Sequence, residues 1–138
     1  MMGYGYRTIE HTADIGLIAY GATLPEAFLN AAKGMSSIMI DLRTINTSTR
    51  EDIAVEESDS EKLLYAWLNY LLYYFDTRGI IFRRFELISF TNKRLEVSCY
   101  GETYDPRRHT IKTGIKAATF HRLLVDSKNK RVRVFLDV

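Results

Sequence analysis

Near its start the chain carries Glu10-His11-Thr12-Ala13-Asp14-Ile15-Gly16, which sets a histidine and an aspartate three residues apart. The runs on either side, Tyr4 to Glu10 and Ile15 to Tyr20, alternate as strands do. A solvated turn would account for Thr12 and Asp14, but not for Ile15 and Gly16 leading straight into apolar alternation. Asp14 is therefore expected at the first position of a strand, with its carboxylate at the rim of a sheet. A rim is where a scaffold can hold a polar group rigidly. At the far end, Val132, Val134 and Leu136 share one face of a strand, and Arg131, Arg133, Phe135 and Asp137 share the other. An apolar strand running to the last residues is expected to be tied down, which sets the Asp137 side chain beside the α-carboxylate of Val138. If this strand lies near the one beginning at Asp14, three carboxylates converge, and such a cluster repels itself unless a cation sits in it or protons are retained.

Oxygen donors alone suit a hard divalent cation, Ca²⁺ before Mg²⁺ or Mn²⁺. Zinc would require more nitrogen or sulfur than one Cys and three scattered His supply. His11 could orient Asp14 from behind. On spacing alone a plainer arrangement stays open, with Asp14 capping a turn and Asp137 an exposed charge.

The elements that must position these groups are legible. Thr23-Leu24-Pro25-Glu26 opens a helix with an N-cap threonine, a glutamate three residues on and a proline in the first turn. Apolar residues keep helical spacing from Leu24 to about Ile40. Asp41 to Arg50 reads as a loop and Asp52 to Glu57 as a strand. Ser58-Asp59-Ser60 caps a second helix, Glu61 to about Asp76, whose apolar stripe is wide enough to pack against a sheet. Ile80 to Phe90 and Arg94 to Gly101 form a hairpin around Thr91-Asn92-Lys93. Lys112 to Val125 and Arg131 to Asp137 form a last pair of strands. Two helices and about seven strands with consecutive β pairs predict one α+β domain over residues 1–138, a two-layer fold with mostly antiparallel sheet under two main helices.

Composition narrows the function classes. With 19 basic against 17 acidic residues the net charge is +2, so the chain as a whole has no electrostatic case for nucleic acid. Cys99 is the sole cysteine and cannot form an internal disulfide, which fits a reducing compartment. No apolar run is long enough for a membrane span, and the first residues lack the apolar core of a signal peptide. A cytoplasmic protein is expected.

The chain resembles the archease family, small proteins that activate the tRNA-splicing RNA ligase joining ends through a 2′,3′-cyclic or 3′-phosphate. The resemblance rests on Glu10 to Gly16; on the Thr23-to-Lys33 helix with Glu26-Ala27-Phe28; on Gly101-Glu102 with Asp105-Pro106-Arg107-Arg108-His109; on Ile115-Lys116-Ala117-Ala118-Thr119-Phe120-His121; and on the terminal Leu136-Asp137-Val138. It runs through essentially the whole chain, in order. Family members often carry Val-Thr-Tyr-His where this chain has Ala118-Thr119-Phe120-His121, so a role for that phenolic hydroxyl is lost here. The resemblance implies a metal held by Asp14, Asp137 and the Val138 carboxylate, and a functional role for Lys116. It also implies that the protein is no ligase itself, but promotes guanylylation of the ligase's histidine by GTP and sustains repeated turnover.

Lys116, read as facing with Ala118 and Phe120 along a strand, either reaches solvent or pairs with a carboxylate or phosphate. Two weaker candidates are Arg108, which in the short basic turn Arg107-Arg108-His109 could face an RNA phosphate or simply be solvated, and His121, a strand-face histidine that could approach the metal. Cys99 alternates with core residues and is expected to be inert. Two further readings compete with the activator: a chaperone-like module for RNA-modifying enzymes such as a tRNA methyltransferase, and a metal-dependent phosphoester hydrolase. Against the hydrolase, the sequence shows no nucleophile–base pair and no phosphate loop.

Overall fold

The computed structural model describes residues 5–10 and 14–138. The chain runs β1 (Tyr6–Glu10), β2 (Asp14–Tyr20), α1 (Leu24–Met39), a 3-10 turn (Leu42–Thr44), β3 (Thr49–Glu56), α2 (Ser60–Arg78), β4 (Ile80–Thr91), β5 (Arg94–Thr103), β6 (Ala117–Ala118), β7 (Leu124–Asp126) and β8 (Arg131–Asp137). All strand pairs are antiparallel, and they make two sheets: β1-β2-β8-β6 with β7 also on β8, and β3-β5-β4. The fold is α+β and mostly sheet.

Helix α1 starts where Thr23 Oγ1 accepts from the Glu26 N–H at 3.2 Å, and Glu26 Oε1 accepts from the Ala22 N–H at 2.8 Å. The capping box thus closes one residue earlier than its simplest form. Helix α2 is capped by Asp59, which accepts from the Lys62 N–H at 2.8 Å, and ends at Gly79, whose φ of 67° a side chain would resist. The two helices bury Ala27, Phe28, Ala31, Leu64, Trp67 and Leu68 in a core they share with both sheets. Trp67 Nε1–H donates to the Phe28 carbonyl at 3.0 Å, which satisfies the one polar atom of that indole. Along β2 and β8, Leu17, Ala19, Val132, Val134 and Leu136 face this core. Period-two alternation turns Asp14, Gly16, Ile18, Arg133, Phe135 and Asp137 to the opposite face.

Two segments differ from expectation. Asp41 to Arg50 is not all loop: it holds the 3-10 turn and the first two residues of β3. Lys112 to Val125 is not one strand. It is reduced to β6 and β7, separated by a turn in which the Leu123 N–H donates to the Phe120 carbonyl and Arg122 takes a φ of 52°. Helix α2 closes the outer edge of β6: the Asn69 side chain donates to the Ala118 carbonyl and accepts from the Ala118 N–H, both at 3.0 Å. It occupies the backbone groups that a further strand would need. Ala118 is consequently buried while Lys116 and Phe120 are exposed, so these three do not share a strand face.

Candidate functional site

The strand pairing brings the two ends of the chain together. Asp14 on β2 lies directly opposite Asp137 on β8, followed by Gly16 opposite Phe135 and Ile18 opposite Arg133. Directly opposed residues of an antiparallel pair point to the same face, with their Cα atoms roughly 4.5–5.5 Å apart. Two carboxylates thus flank one another at the end of the ladder, and directly opposed like charges are unfavourable in a sheet. Asp14 is partly buried, with its Oδ1 shielded from solvent, whereas Asp137 is exposed and forms no ion pair among the described residues.

The row continues one strand further. Ala117 on β6 pairs with Asp137, and the Lys116 N–H donates to the Asp137 carbonyl at 2.7 Å. Lys116 is therefore fixed beside the carboxylate pair by its backbone, with its side chain exposed and in no ion pair among the described residues. His121 reaches the same face: its ring meets that of Phe135 edge-on at 5.5 Å, and the Arg122 guanidinium lies 5.8 Å from the centre of the same ring. Phe135 is 4% exposed although it stands on the face away from the helices. Gly16 makes that possible, because a Cβ there would come within 2.9 Å of Phe135 Cε2. The carboxylates thus stand on a small apolar floor rather than on an open sheet surface. His11, expected behind Asp14, lies outside the described residues.

As a donor set, Asp14 and Asp137 with the carboxylate of Val138 offer oxygen only, which suits a hard cation. Asp14 and Asp137 would hold it between the two strands. Among the described residues, no group of three or more His, Cys, Asp or Glu side chains is arranged to hold a metal ion.

The model of the Archease protein family (MTH1598/TM1083) matches residues 6–138. The chain belongs to the archease family. It is 38% identical over 125 residues to protein archease of Sulfolobus acidocaldarius, covering 90% of each chain, and 39% identical over 121 residues to protein archease of Pyrococcus furiosus, covering 85% and 84%. The solution structure of Methanobacterium thermoautotrophicum protein 1598 superposes with a TM-score of 0.78 at 28% identity, over 99% of this chain and 100% of that one. The crystal structure of an archease from Thermotoga maritima, described as a possible chaperone, shares the fold with a TM-score of 0.56 at 20% identity, over 96% of each chain. Among the described residues no helix is long and apolar enough to cross a membrane.

Other residues that the archease resemblance drew on take a different place. Arg108 does not join Asp14 and Asp137. Its guanidinium pairs with Glu102 at 2.6 Å, in a cluster that ties the 105–109 turn to the loop before β3. Glu102 also accepts from the Asn46 N–H at 2.9 Å and from Asn46 Nδ2 at 3.0 Å. His109, 2% exposed, accepts from the Asp105 N–H at Nδ1, so its ring proton sits on Nε2, 3.0 Å from Glu102. Burial pushes the Glu102 carboxyl upward, but the Asn46, Arg108 and His109 hydrogen bonds outweigh it and hold the group below the usual carboxylate range. Every charge in this cluster therefore has a partner within it. Burial likewise pushes the Cys99 thiol far up, so it carries no thiolate character.

Reasoning from the sequence missed Asn69, Gly16 as the seat of Phe135, and Glu102 as an anchor. A polar asparagine inside the apolar run Leu68-Asn69-Tyr70-Leu71 was the available signal for the first. The other two had none beyond membership of a motif: Phe135, which packs on Gly16, and Asn46, which Glu102 anchors, each lie more than fifty residues away in sequence, although Arg108 and His109 are close to Glu102.

Proposed function

We propose that this archease family member is a non-enzymatic, metal-binding activator of the tRNA-splicing RNA ligase, acting in the cytoplasm and promoting the ligase's guanylylation and repeated turnover. The observation that carries the reading is the cross-strand pair Asp14–Asp137, two carboxylates opposed at the end of one ladder with the Lys116 backbone bonded to the same residue. A hard divalent cation, Ca²⁺ in the first instance, would supply positive charge at this edge and bring oxygen ligands of the partner to it. Asp14 and Asp137, with the Val138 carboxylate, hold that position; Lys116 presents a compact positive charge to a phosphate of the ligase's nucleotide; Phe135, His121 and Gly16 support the strand from below.

The experiment is ligase guanylylation by labelled GTP and multiple-turnover RNA joining, with wild type and with Asp137→Ala. Stimulation that is lost in a folded Asp137→Ala protein supports the reading. Stimulation that persists keeps the partner but removes the carboxylates from the mechanism. A second reading, a chaperone-like module for RNA-modifying enzymes such as a tRNA methyltransferase, is favoured by exposed aromatics: Tyr73 is 63% exposed, and Phe120 is 53% exposed while stacked on Tyr65 at 4.0 Å. Under that reading Asp137→Ala leaves client solubility unchanged and Phe120→Ser reduces it.

A further inference from the structure

The chain's net charge is only +2, but the fold does not spread that charge evenly. Two adjoining hollows between α1 and β4, of about 290 and 380 Å³, share Lys33 and Arg83 in their walls. Together they form one groove lined by Lys33 from α1, Arg43 from the 3-10 turn, Arg83 and Arg84 from β4, and Lys112. Asp41 is the one acidic residue in the lining. Arg43 already engages it through Nε at 3.0 Å and Nη2 at 2.8 Å, and these hydrogen bonds hold its carboxyl down to about 2, so it stays ionised and occupied. Arg84 is turned toward Glu86 at 2.6 Å and lies 4.0 Å over the Tyr100 ring. That leaves Lys33, Arg83 and Lys112, which form no ion pair among the described residues. Arg83 is held in place by its Nη1–H bond to the Ile45 carbonyl at 2.9 Å, so its guanidinium is set before any ligand arrives.

We infer that this groove binds the phosphate backbone of a single-stranded nucleic acid, with Lys33, Arg83 and Lys112 each meeting a phosphate. Exposed cations distributed over two adjoining hollows fit a chain of repeated anions better than one compact ligand. The groove stands apart from the carboxylate edge and the inference does not depend on the activator reading. Binding of this kind carries no base readout, so it is weak, tolerant of sequence and strongly salt-dependent. Three neutralised phosphates on a single strand give a slope near −2 in log K against log salt, so affinity falls roughly 20-fold between 50 and 200 mM salt.

The test is fluorescence anisotropy of a labelled 20-nucleotide single-stranded RNA titrated with the full chain across that salt range. The variants are the charge reversal Lys33→Glu/Arg83→Glu/Lys112→Glu and, as a control on another face, Arg7→Glu/Arg131→Glu. All three groove positions are exposed, and each variant's fold is checked by circular dichroism. The milder Lys33→Gln/Lys112→Gln, which leaves the Arg83–Ile45 bond intact, serves if the triple reversal does not fold. Binding that falls about 20-fold with salt, is lost in the triple reversal, is weakened with a shallower slope in the double variant and survives in the control supports the inference. RNA binding unchanged by the groove variants overturns it, and so does binding lost in the control alone. Absence of RNA binding alongside groove-dependent binding of a labelled poly-glutamate peptide also overturns it, making the groove a protein-docking surface.

Discussion

Two carboxylate clusters in this chain are built on opposite electrostatic plans. At the Glu102 cluster one carboxylate is met by Arg108, by His109 and by two groups of Asn46, and every charge has a partner of opposite sign or a hydrogen-bond donor. At the strand edge, Asp14 and Asp137 face each other, like charge against like, in register across a ladder. The first arrangement lowers the energy of the folded chain by itself. The second sets two like charges side by side at the end of a ladder, a pairing that costs stability in itself. The Glu102 cluster is matched charge to charge, whereas the edge pair is the feature on which the proposed cation site rests.

The largest expected effect tests the scaffold side. Glu102→Ala leaves the Asn46 and His109 donors without their acceptor and lowers stability by about 3 kcal/mol in urea unfolding, with ligase stimulation per folded molecule unchanged. A loss below about 1 kcal/mol would erase the distinction between the two clusters. The same cluster sets an acid limb. Because the folded Glu102 carboxyl lies below its ordinary range, its contribution is fully present above the unfolded value of 4.5 and is lost as pH falls through the lower folded value. Glu102→Gln therefore flattens the stability profile below about pH 4.5, measured by thermal melts from pH 3 to 7.

Next in size is Asn69→Ala, which removes both bonds to Ala118 and costs about 2 kcal/mol. It also loosens the segment that fixes Lys116 beside Asp137, so ligase stimulation falls as well. A stability loss with stimulation fully retained would show that Lys116 needs no such placement.

The smallest change in stability, and the most discriminating, is at the edge itself. Without added cation, Asp137→Ala shifts stability by less than about 1 kcal/mol, and toward greater stability, because a like-charge pair is removed. With Ca²⁺ at a hundred times its dissociation constant, wild type gains about 2.7 kcal/mol and Asp137→Ala gains little. Equal gains in both proteins would place the ion elsewhere.

Much of this architecture is readable before folding. Thr23 and Asp59 mark the two helix starts because an N-cap is a local hydrogen bond between neighbours in sequence. The hairpin around Asn92-Lys93 and the strand starting at Asp14 follow from period-two alternation and turn residues. The break in Lys112 to Val125 was not readable, because the turn at Phe120 to Leu123, with Arg122 at positive φ, and the bonds of Asn69 to Ala118 are set by packing between segments distant in sequence. The carboxylates of Asp14 and Asp137 were identified as candidates from residue type and position, with their meeting conditional on strand proximity. Arg108 was singled out from its basic turn, and the fold instead gives it to Glu102.

The sequence by itself determined where the helices and most strands begin, that the core would be apolar helix against apolar strand, and which residue types could bind a hard cation. Those are consequences of short-range bonding and periodicity. Only the tertiary structure decided that Asp14 stands opposite Asp137, that Lys116 is held by its backbone at that same row, and that five cations of a nearly neutral chain line one groove. Each of these depends on pairings between residues far apart in sequence, and a register shift of one residue would turn the Asp137 side chain to the other face of the sheet.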